Sequence, residues 1–263
     1  MAWRRRRRAA VAAMGIGTTA VSALVALSGC TGQAAGAQDR PSAAARQSVA
    51  GAAAALVRSG TSRFRTTMVT AGDGSPRTIT GDGTFDYVAG RGALTVVLPP
   101  GAPEPGPVTE VVAPGALYLR HRGAGVPRDK WLRVDTARLA DGDLVTGGAT
   151  DPLAAARLLG GVREAAPAGT ERVAGAVLWR YRGITRPPAA IRSFAGAPVP
   201  FDVALDARGR PRRLREVFTY RTPDGHRMTV TSVTEVYDFG VPVRIALPRA
   251  ADTYPGMIVS PQG

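Results

Sequence analysis

The residue best equipped for chemistry in this chain of 263 is its only cysteine, Cys30, which ends the run Leu27-Ser28-Gly29-Cys30. A thiolate is the most nucleophilic group that a side chain offers near neutral pH, and small residues before it let the backbone enter a peptidase site. Elsewhere the chemistry is thin. His121 and His226 are the only histidines, and no serine sits in a G-x-S-x-G elbow, so the pattern of a Ser-His-Asp hydrolase is missing. No H-x-x-x-H or clustered histidine pair offers a metal site. Asp82, Asp86, Asp141 and Asp143 invite a glycosidase or calcium reading. Asp82 and Asp86 share a strand face, but both lie close to Gly, where Asp is ordinary turn chemistry. Gly81-x-Gly83 lacks the third glycine of a dinucleotide fingerprint and precedes no helix.

Arg4 to Arg8 are five consecutive arginines, and Ala9 to Leu27 follow without a charge. A basic start, an apolar stretch and a small-residue cleavage site are the parts of a secretory signal. Ala9–Leu27 is about long enough to span a bilayer core, but it is rich in Ala, Gly and Thr and has no basic stop-transfer residues behind it. The tetrapeptide resembles the lipobox of bacterial lipoproteins. That resemblance implies a signal peptide over 1–29, cleavage between Gly29 and Cys30, and acylation of Cys30 by diacylglyceryl and acyl groups such as palmitate. Membrane lipid would then be the first partner, and two or more chains on one cysteine make the anchor stable. The arginine run also suits twin-arginine export, although the fuller motif is missing, so the export route stays open.

The whole chain carries +14, from 34 basic and 20 acidic residues. Removing the five signal arginines leaves 29 basic residues and a charge of +9, nearly all of it Arg, with Lys130 the single lysine. Outside the cell such a surface is drawn to anionic headgroups or wall polymers. Nucleic acid is excluded as a partner by export and by the lack of a recognition motif. With Cys30 acylated no disulfide can form, so stability must come from an apolar core. The length after residue 29 is ample for one. No cofactor is expected.

The elements that must carry these residues follow in order. Thr31 to about Pro41 is rich in Gly, Ala and Gln, so 30–41 reads as a flexible tether. Ser42–Arg58 carries Val49, Ala52, Ala53, Leu56 and Val57 at helical spacing, with Ser42 as N-cap and Ser59-Gly60 as stop. From Thr61 the period becomes two. Strands are expected over Thr61–Thr70, Arg77–Val88, Gly92–Leu98, Val108–Val112, Ala116–Arg120 and Lys130–Val134. Pro99 to Pro107 holds five prolines and is a loop or an edge crossing. Asp151-Pro152 opens a short helix over Leu153–Leu159. Strand pieces follow over Gly161–Ala165, Thr170–Val173 and Ala176–Ile184, and Pro187–Phe194 reads as a helical turn. Phe201, Val203 and Leu205 pair with Arg213–Tyr220 across a Gly-bearing turn. Arg227–Phe239 follows, and the alternation of Val243, Ile245 and Leu247 closes the β region.

The order of tether, helix and long meander, with Ile79-Thr80-Gly81-Asp82-Gly83-Thr84-Phe85-Asp86, Val203-Ala204-Leu205-Asp206-Ala207-Arg208-Gly209-Arg210-Pro211 and Tyr237-Asp238-Phe239-Gly240-Val241-Pro242-Val243, resembles the actinobacterial lipoproteins of the LppX/LprG type. These share a fold with the lipoprotein carrier LolA and the sensor RseB. The resemblance covers about Ser42 to Tyr254. It implies an α+β, mostly β domain over 42–263: a strongly curved antiparallel sheet, or half-barrel, with helices on its concave side. It also implies an apolar cavity for the acyl chains of a lipid or glycolipid, and a binding protein at the extracytoplasmic face of the cell membrane, not an enzyme. Candidate lining residues are Leu94, Val96, Leu98, Leu117, Leu119, Leu132 and Val134. Arg208, Arg210, Arg212, Arg213 and Arg215 form a basic cluster that could face anionic membrane. Some relatives are regulatory instead, which leaves a membrane protein partner as the alternative.

Overall fold

The computed structural model describes residues 40–72, 74–102, 106–123, 125–138, 151–186, 197–221 and 225–256. All lie within one compact unit, Ala34–Gly263. Cys30, Asp141, Asp143, most of the expected tether and the turn expected at Pro187–Phe194 lie outside the described residues.

Ser42 starts the first helix as its residue type predicts. Its Oγ accepts the Ala45 N–H at 3.1 Å, which satisfies a donor that has no partner within the helix. The expected single helix is divided into α1 (Ala43–Ala50) and α2 (Ala52–Ser59). The interruption is one residue, Gly51, the poorest non-proline helix former. Buried Ala45, Val49, Ala52, Ala55 and Leu56 make a continuous stripe across both pieces. Gly60, at φ 75°, ends α2 in a conformation that costs glycine little.

Twelve strands follow. They are β1 (Thr61–Ala71), β2 (Arg77–Asp86), β3 (Arg91–Val97), β4 (Val108–Ala113), β5 (Ala116–Arg120), β6 (Trp131–Asp135), β7 (Val162–Val173), β8 (Ala176–Thr185), β9 (Val199–Leu205), β10 (Pro211–Arg221), β11 (Arg227–Tyr237) and β12 (Thr253–Gly256). A third helix, α3 (Pro152–Leu158), joins the two halves. The strands form one open sheet in the order β12-β6-β5-β4-β3-β2-β1-β11-β10-β9-β8-β7. Two meanders, β1–β6 and β7–β11, are therefore joined side by side through β1 and β11. This is the expected mostly-β, curved open sheet, with few helices among the described residues.

Three segments depart from expectation. The pieces Gly161–Ala165 and Thr170–Val173 are one strand, β7, whose register slips between Pro167 and Thr170. A bulge there absorbs a proline that cannot donate to a ladder. The alternating Val243, Ile245 and Leu247 lie in no ladder: Val243 and Ile245 are half-buried and Leu247 is exposed, and alternation does not show whether the backbone is paired. The chain instead reaches β12, which pairs with β6 in parallel, the one exception to an otherwise antiparallel sheet. A single turn, Ala250–Asp252, leads into it, held by Lys130 Nζ to Asp252 Oδ1 at 2.8 Å and Arg249 Nε to Asp252 Oδ2 at 2.7 Å.

The helices cover one face of the sheet. α1 packs on β7, α2 on β1 and β10, and α3 on β10 and β11. Asp151 fixes the start of α3 by accepting the Leu153 and Ala154 N–H groups at 2.8 and 3.0 Å. Leu56 of α2 and Leu153 and Ala156 of α3 enter one core cluster with Phe64, Phe85 and Val236. Leu56→Ala should therefore cost about 2–5 kcal/mol, read as a lower urea midpoint at unchanged m-value. Val57→Ala, on the exposed side of the same turn, should shift it by less than about 0.5 kcal/mol.

Candidate functional site

The inner face of the β3–β6 wing is built by alternation. Leu94 and Val96 on β3, Leu117 and Leu119 on β5, and Leu132 and Val134 on β6 all point inward and are buried. Cross-strand partners lock them together, Leu117 with Val134 and Leu119 with Leu132. Leu98, just beyond β3, packs half-buried against the same cluster. The structure thus gathers all seven sequence-selected aliphatic residues in one layer, facing Leu56 and Leu153 of the helices. Two surface recesses among the described residues lie elsewhere. One of about 360 Å³ is lined by Thr219, Tyr220, Arg221 and Arg227. The other, about 600 Å³, lies beside Gly74–Thr78, Pro99 and Pro100.

The wing is joined to the other half through β1 and β11, and there the inner face changes character. Thr66 on β1 is the direct partner of Thr234 on β11. One inward position along β11 stands Ser232, whose partner on β10 is Glu216. All four side chains are buried, with 2–3% of each residue exposed. They form a diagonal polar stripe where three apolar clusters meet. Phe64 and Val236 belong to the first cluster, Phe201 and Leu214 to the second, and Met68, Phe218 and Val230 to the third. Glu216 Oε1 and Ser232 Oγ have no hydrogen-bond partner. Burial alone pushes the Glu216 carboxyl up to about 8, because the charged form loses its hydration and gains nothing in return. Glu216 is not among the residues singled out by sequence. Its signal was parity: in β10, Leu214 and Phe218 point inward, and position 216 between them must do the same.

The five arginines do not share one surface. Arg210 is held by Asp206, Nε to Oδ2 at 2.8 Å and Nη2 to Oδ2 at 2.7 Å, and lies 3.9 Å over the Phe239 ring. Arg212 approaches the same ring at 5.4 Å. Burial works to raise the Asp206 carboxyl, but hydrogen bonds from Arg210 and from the Arg208 and Arg210 backbone outweigh it and hold the group below its usual range. Arg208 is exposed in the turn between β9 and β10. Arg213 and Arg215 stand exposed on the outer side of β10, in register with Glu235 and Val233 of β11.

The remaining polar candidates occupy ordinary positions. Asp82 pairs with Arg65 at 2.7 Å on the outer face. Asp86 Oδ1 accepts the Val88 and Ala89 N–H groups at 3.0 and 2.9 Å, forming the β2–β3 turn. His121 and His226 are exposed. Among the described residues no group of three His, Cys, Asp or Glu side chains is placed to hold a metal, and no helix is long and apolar enough to cross a membrane.

No protein-family model and no curated protein matches this chain. Among solved structures it is similar to LprF from Mycobacterium bovis, at 14% sequence identity and a TM-score of 0.46, over 80% of this chain and 99% of that one. It is also similar to the lipoprotein LppX from Mycobacterium tuberculosis, at 14% identity and a TM-score of 0.47, over 77% and 98%. A LolA superfamily protein from Nitrosomonas europaea matches at 13% identity and a TM-score of 0.33, over 80% and 97%.

Glu216 gives the site a pH signature. The unfolded chain releases this proton near 4.5, whereas the folded protein keeps it to about 8. The folded form therefore binds more protons between those values, and stability falls as pH rises across that window before levelling off. Its slope from this group is at most about 1.4 kcal/mol per pH unit. Glu216→Gln should remove that component, so urea midpoints at pH 5, 6.5 and 8 should fall more steeply for the wild type than for the variant. Parallel profiles would refute the assignment.

Proposed function

We propose that this protein is a membrane-tethered, non-enzymatic binding protein that shelters an acyl chain or another apolar ligand between its curved sheet and its helices. One observation carries the reading. A wide, mostly aliphatic inner face, interrupted by buried Glu110, is roofed among the described residues by three helices of only 7–8 residues each, too short to be stable without the packing beneath them. Moving such a helix off the sheet breaks few backbone bonds, and an acyl chain that takes its place regains about 0.8 kcal/mol per buried methylene. Leu94, Val96, Leu98, Leu117, Leu119, Leu132 and Val134 are the proposed contacts.

In this reading residues 1–29 direct export and Cys30 carries the lipid anchor. Residues 30–41 tether the domain to the outer side of the cell membrane, where outward arginines such as Arg208, Arg213 and Arg215 meet anionic headgroups. Cys30→Ser should move the protein from the membrane fraction to the soluble fraction and remove the acyl mass from its N-terminus. A variant that stays on the membrane would refute the anchor.

Native mass spectrometry of residues 31–263, purified from an actinobacterial host, tests the binding role. The expected result is a discrete adduct that organic extraction removes, with its occupancy at least halved in Leu119→Trp, which fills the proposed contact layer. A bare protein mass across repeated preparations would overturn the carrier reading in favour of a regulatory protein that acts through a membrane partner.

A further inference from the structure

We infer that the buried Glu216–Ser232 pair is the polar anchor of the internal site, and that it hydrogen-bonds the carbonyl oxygen of an acyl group whose chain lies along the aliphatic inner face. This rests on the carrier reading of the fold and adds to it the chemical group by which a ligand is selected.

The argument begins from placement. Glu216 and Ser232 are directly opposed on β10 and β11, so their side chains emerge on the same face about 5 Å apart. Both are almost wholly buried, and Glu216 Oε1 and Ser232 Oγ lack a partner within the protein. Buried polar atoms are nearly always paired, and leaving one unpaired costs its full desolvation. Two such atoms side by side mark a place where a third group belongs. The surroundings indicate what that group is. Flanking inward residues on the two strands are Leu214, Phe218, Val230 and Thr234. The next partners outward are Phe201 on β9 and Met68 on β1. Of these six only Thr234 is polar, and none carries a charge. An anionic headgroup would be desolvated beside a carboxyl with no cation to meet it, so phosphate and sulfate do not suit the site. The arginines that could take such groups are exposed or, like Arg210, already engaged with Asp206.

A carboxyl kept neutral by its surroundings is a donor, and so is a serine hydroxyl. Two neutral donors converging in an apolar interior fit one carbonyl oxygen, which has two lone pairs and no charge to desolvate. The location suits an acyl group in particular. The pair lies where the three apolar clusters meet, beneath α3, whose residues Leu153, Ala155 and Leu158 enter or pack on all three. A chain attached to a carbonyl at this point can run along β11 and β1, past the Thr66–Thr234 pair, to the β3 side of the β3–β6 layer, where Leu94 and Val96 lie before the buried Glu110 of β4. Neutral acyl carbonyls occur in ester glycerolipids and in free fatty acids taken up in the protonated form, and only the neutral form suits the pair.

Competition between lipids that differ only in the carbonyl tests this. Residues 31–263 would be offered an equimolar mixture of dioleoylglycerol, its dioleyl ether analogue and oleic acid, with bound species quantified by native mass spectrometry. The wild type should prefer the ester over the ether by about tenfold, the value of one good hydrogen bond in a desolvated site. Glu216→Gln keeps a donor and should retain the preference. Glu216→Leu and Ser232→Ala should bring the ratio close to one while still binding both lipids. Glu216→Leu replaces an unpaired carboxyl with an apolar group and should fold at least as stably as the wild type, which a urea midpoint checks. Whether ester or oleic acid dominates in the wild type identifies the source of the carbonyl. Equal binding of ester and ether by the wild type, or a preference that survives Glu216→Leu and Ser232→Ala, would overturn the anchor and leave the carrier reading standing. Failure to bind any of the three lipids would overturn both.

Discussion

The nine-residue ladder between β1 and β11, from Arg63 with Tyr237 to Ala71 with Thr229, is the constraint on which the molecule depends. Without it the chain is two separate meanders, each held by local hairpins. Pairing residues 158 to 174 positions apart commits a large loop-closure entropy, so the ladder must be supported on its inner side, and the helices are placed to do so. α2 runs directly into β1 through Gly60, and α3 stands on β10 and β11. Leu56, Phe64, Leu153 and Val236 meet in one cluster over the junction. On the outer side, Arg65 pairs with Asp82 at 2.7 Å and Arg63 approaches Asp238 at 3.9 Å. Exposed pairs of this kind contribute little energy but favour one register over a slip that would turn every side chain over.

The same junction carries the least favourable residues of the interior. A fold optimised only for stability would place Val or Leu at 66, 216, 232 and 234, as it does at the neighbouring inward positions. The buried carboxyl of Glu216 shows the cost most directly, because burial holds it neutral into the weakly alkaline range. Such groups persist when they specify an arrangement or a function that apolar packing cannot. Here the stripe divides three apolar clusters that would otherwise merge. It also leaves two polar atoms unsatisfied in the part of the sheet that α3 covers.

Much of this architecture was legible in the sequence because two local rules dominate it. Alternation located nearly every strand, and capping chemistry located the helix starts, with Ser42 and Asp151 accepting the bonds their types predict. What escaped detection was non-local. Nothing in Thr253–Gly256 says that it pairs in parallel with β6. The alternation at 243–247 carries no ladder, and its last member, Leu247, is exposed. Likewise Pro167 reads as a break until a bulge is seen to absorb it. The aliphatic layer from Leu94 to Val134 was visible as parity on single strands, and the sheet order then made it one surface. Glu216 was visible by the same parity but was hidden among arginines. Arg213, Arg215 and Glu216 look like one charged run until the pleat sends the arginines outward and the glutamate inward. Cys30 is the reverse case: it lies outside the described residues, and its proposed role rests on sequence context alone.

That separation of charge by the pleat bears on how such a protein could sort its ligands. Of the arginines behind the chain's net charge of +14, Arg208 is carried on a turn and Arg213 and Arg215 on the outer face, exposed to water, which screens them. The inner face offers hydroxyls and two buried carboxyls, Glu110 between Leu94 and Leu119 and Glu216 beside Ser232, the latter held neutral by burial. Electrostatic attraction toward an anionic surface and selection of a neutral group in the interior are then carried out on opposite sides of one strand. Changing Arg213 or Arg215 alters the outer potential without touching the inner ladder, and changing Glu216 does the opposite. A single β-strand can therefore hold two functions that are chemically incompatible in one pocket, because successive residues never face the same medium.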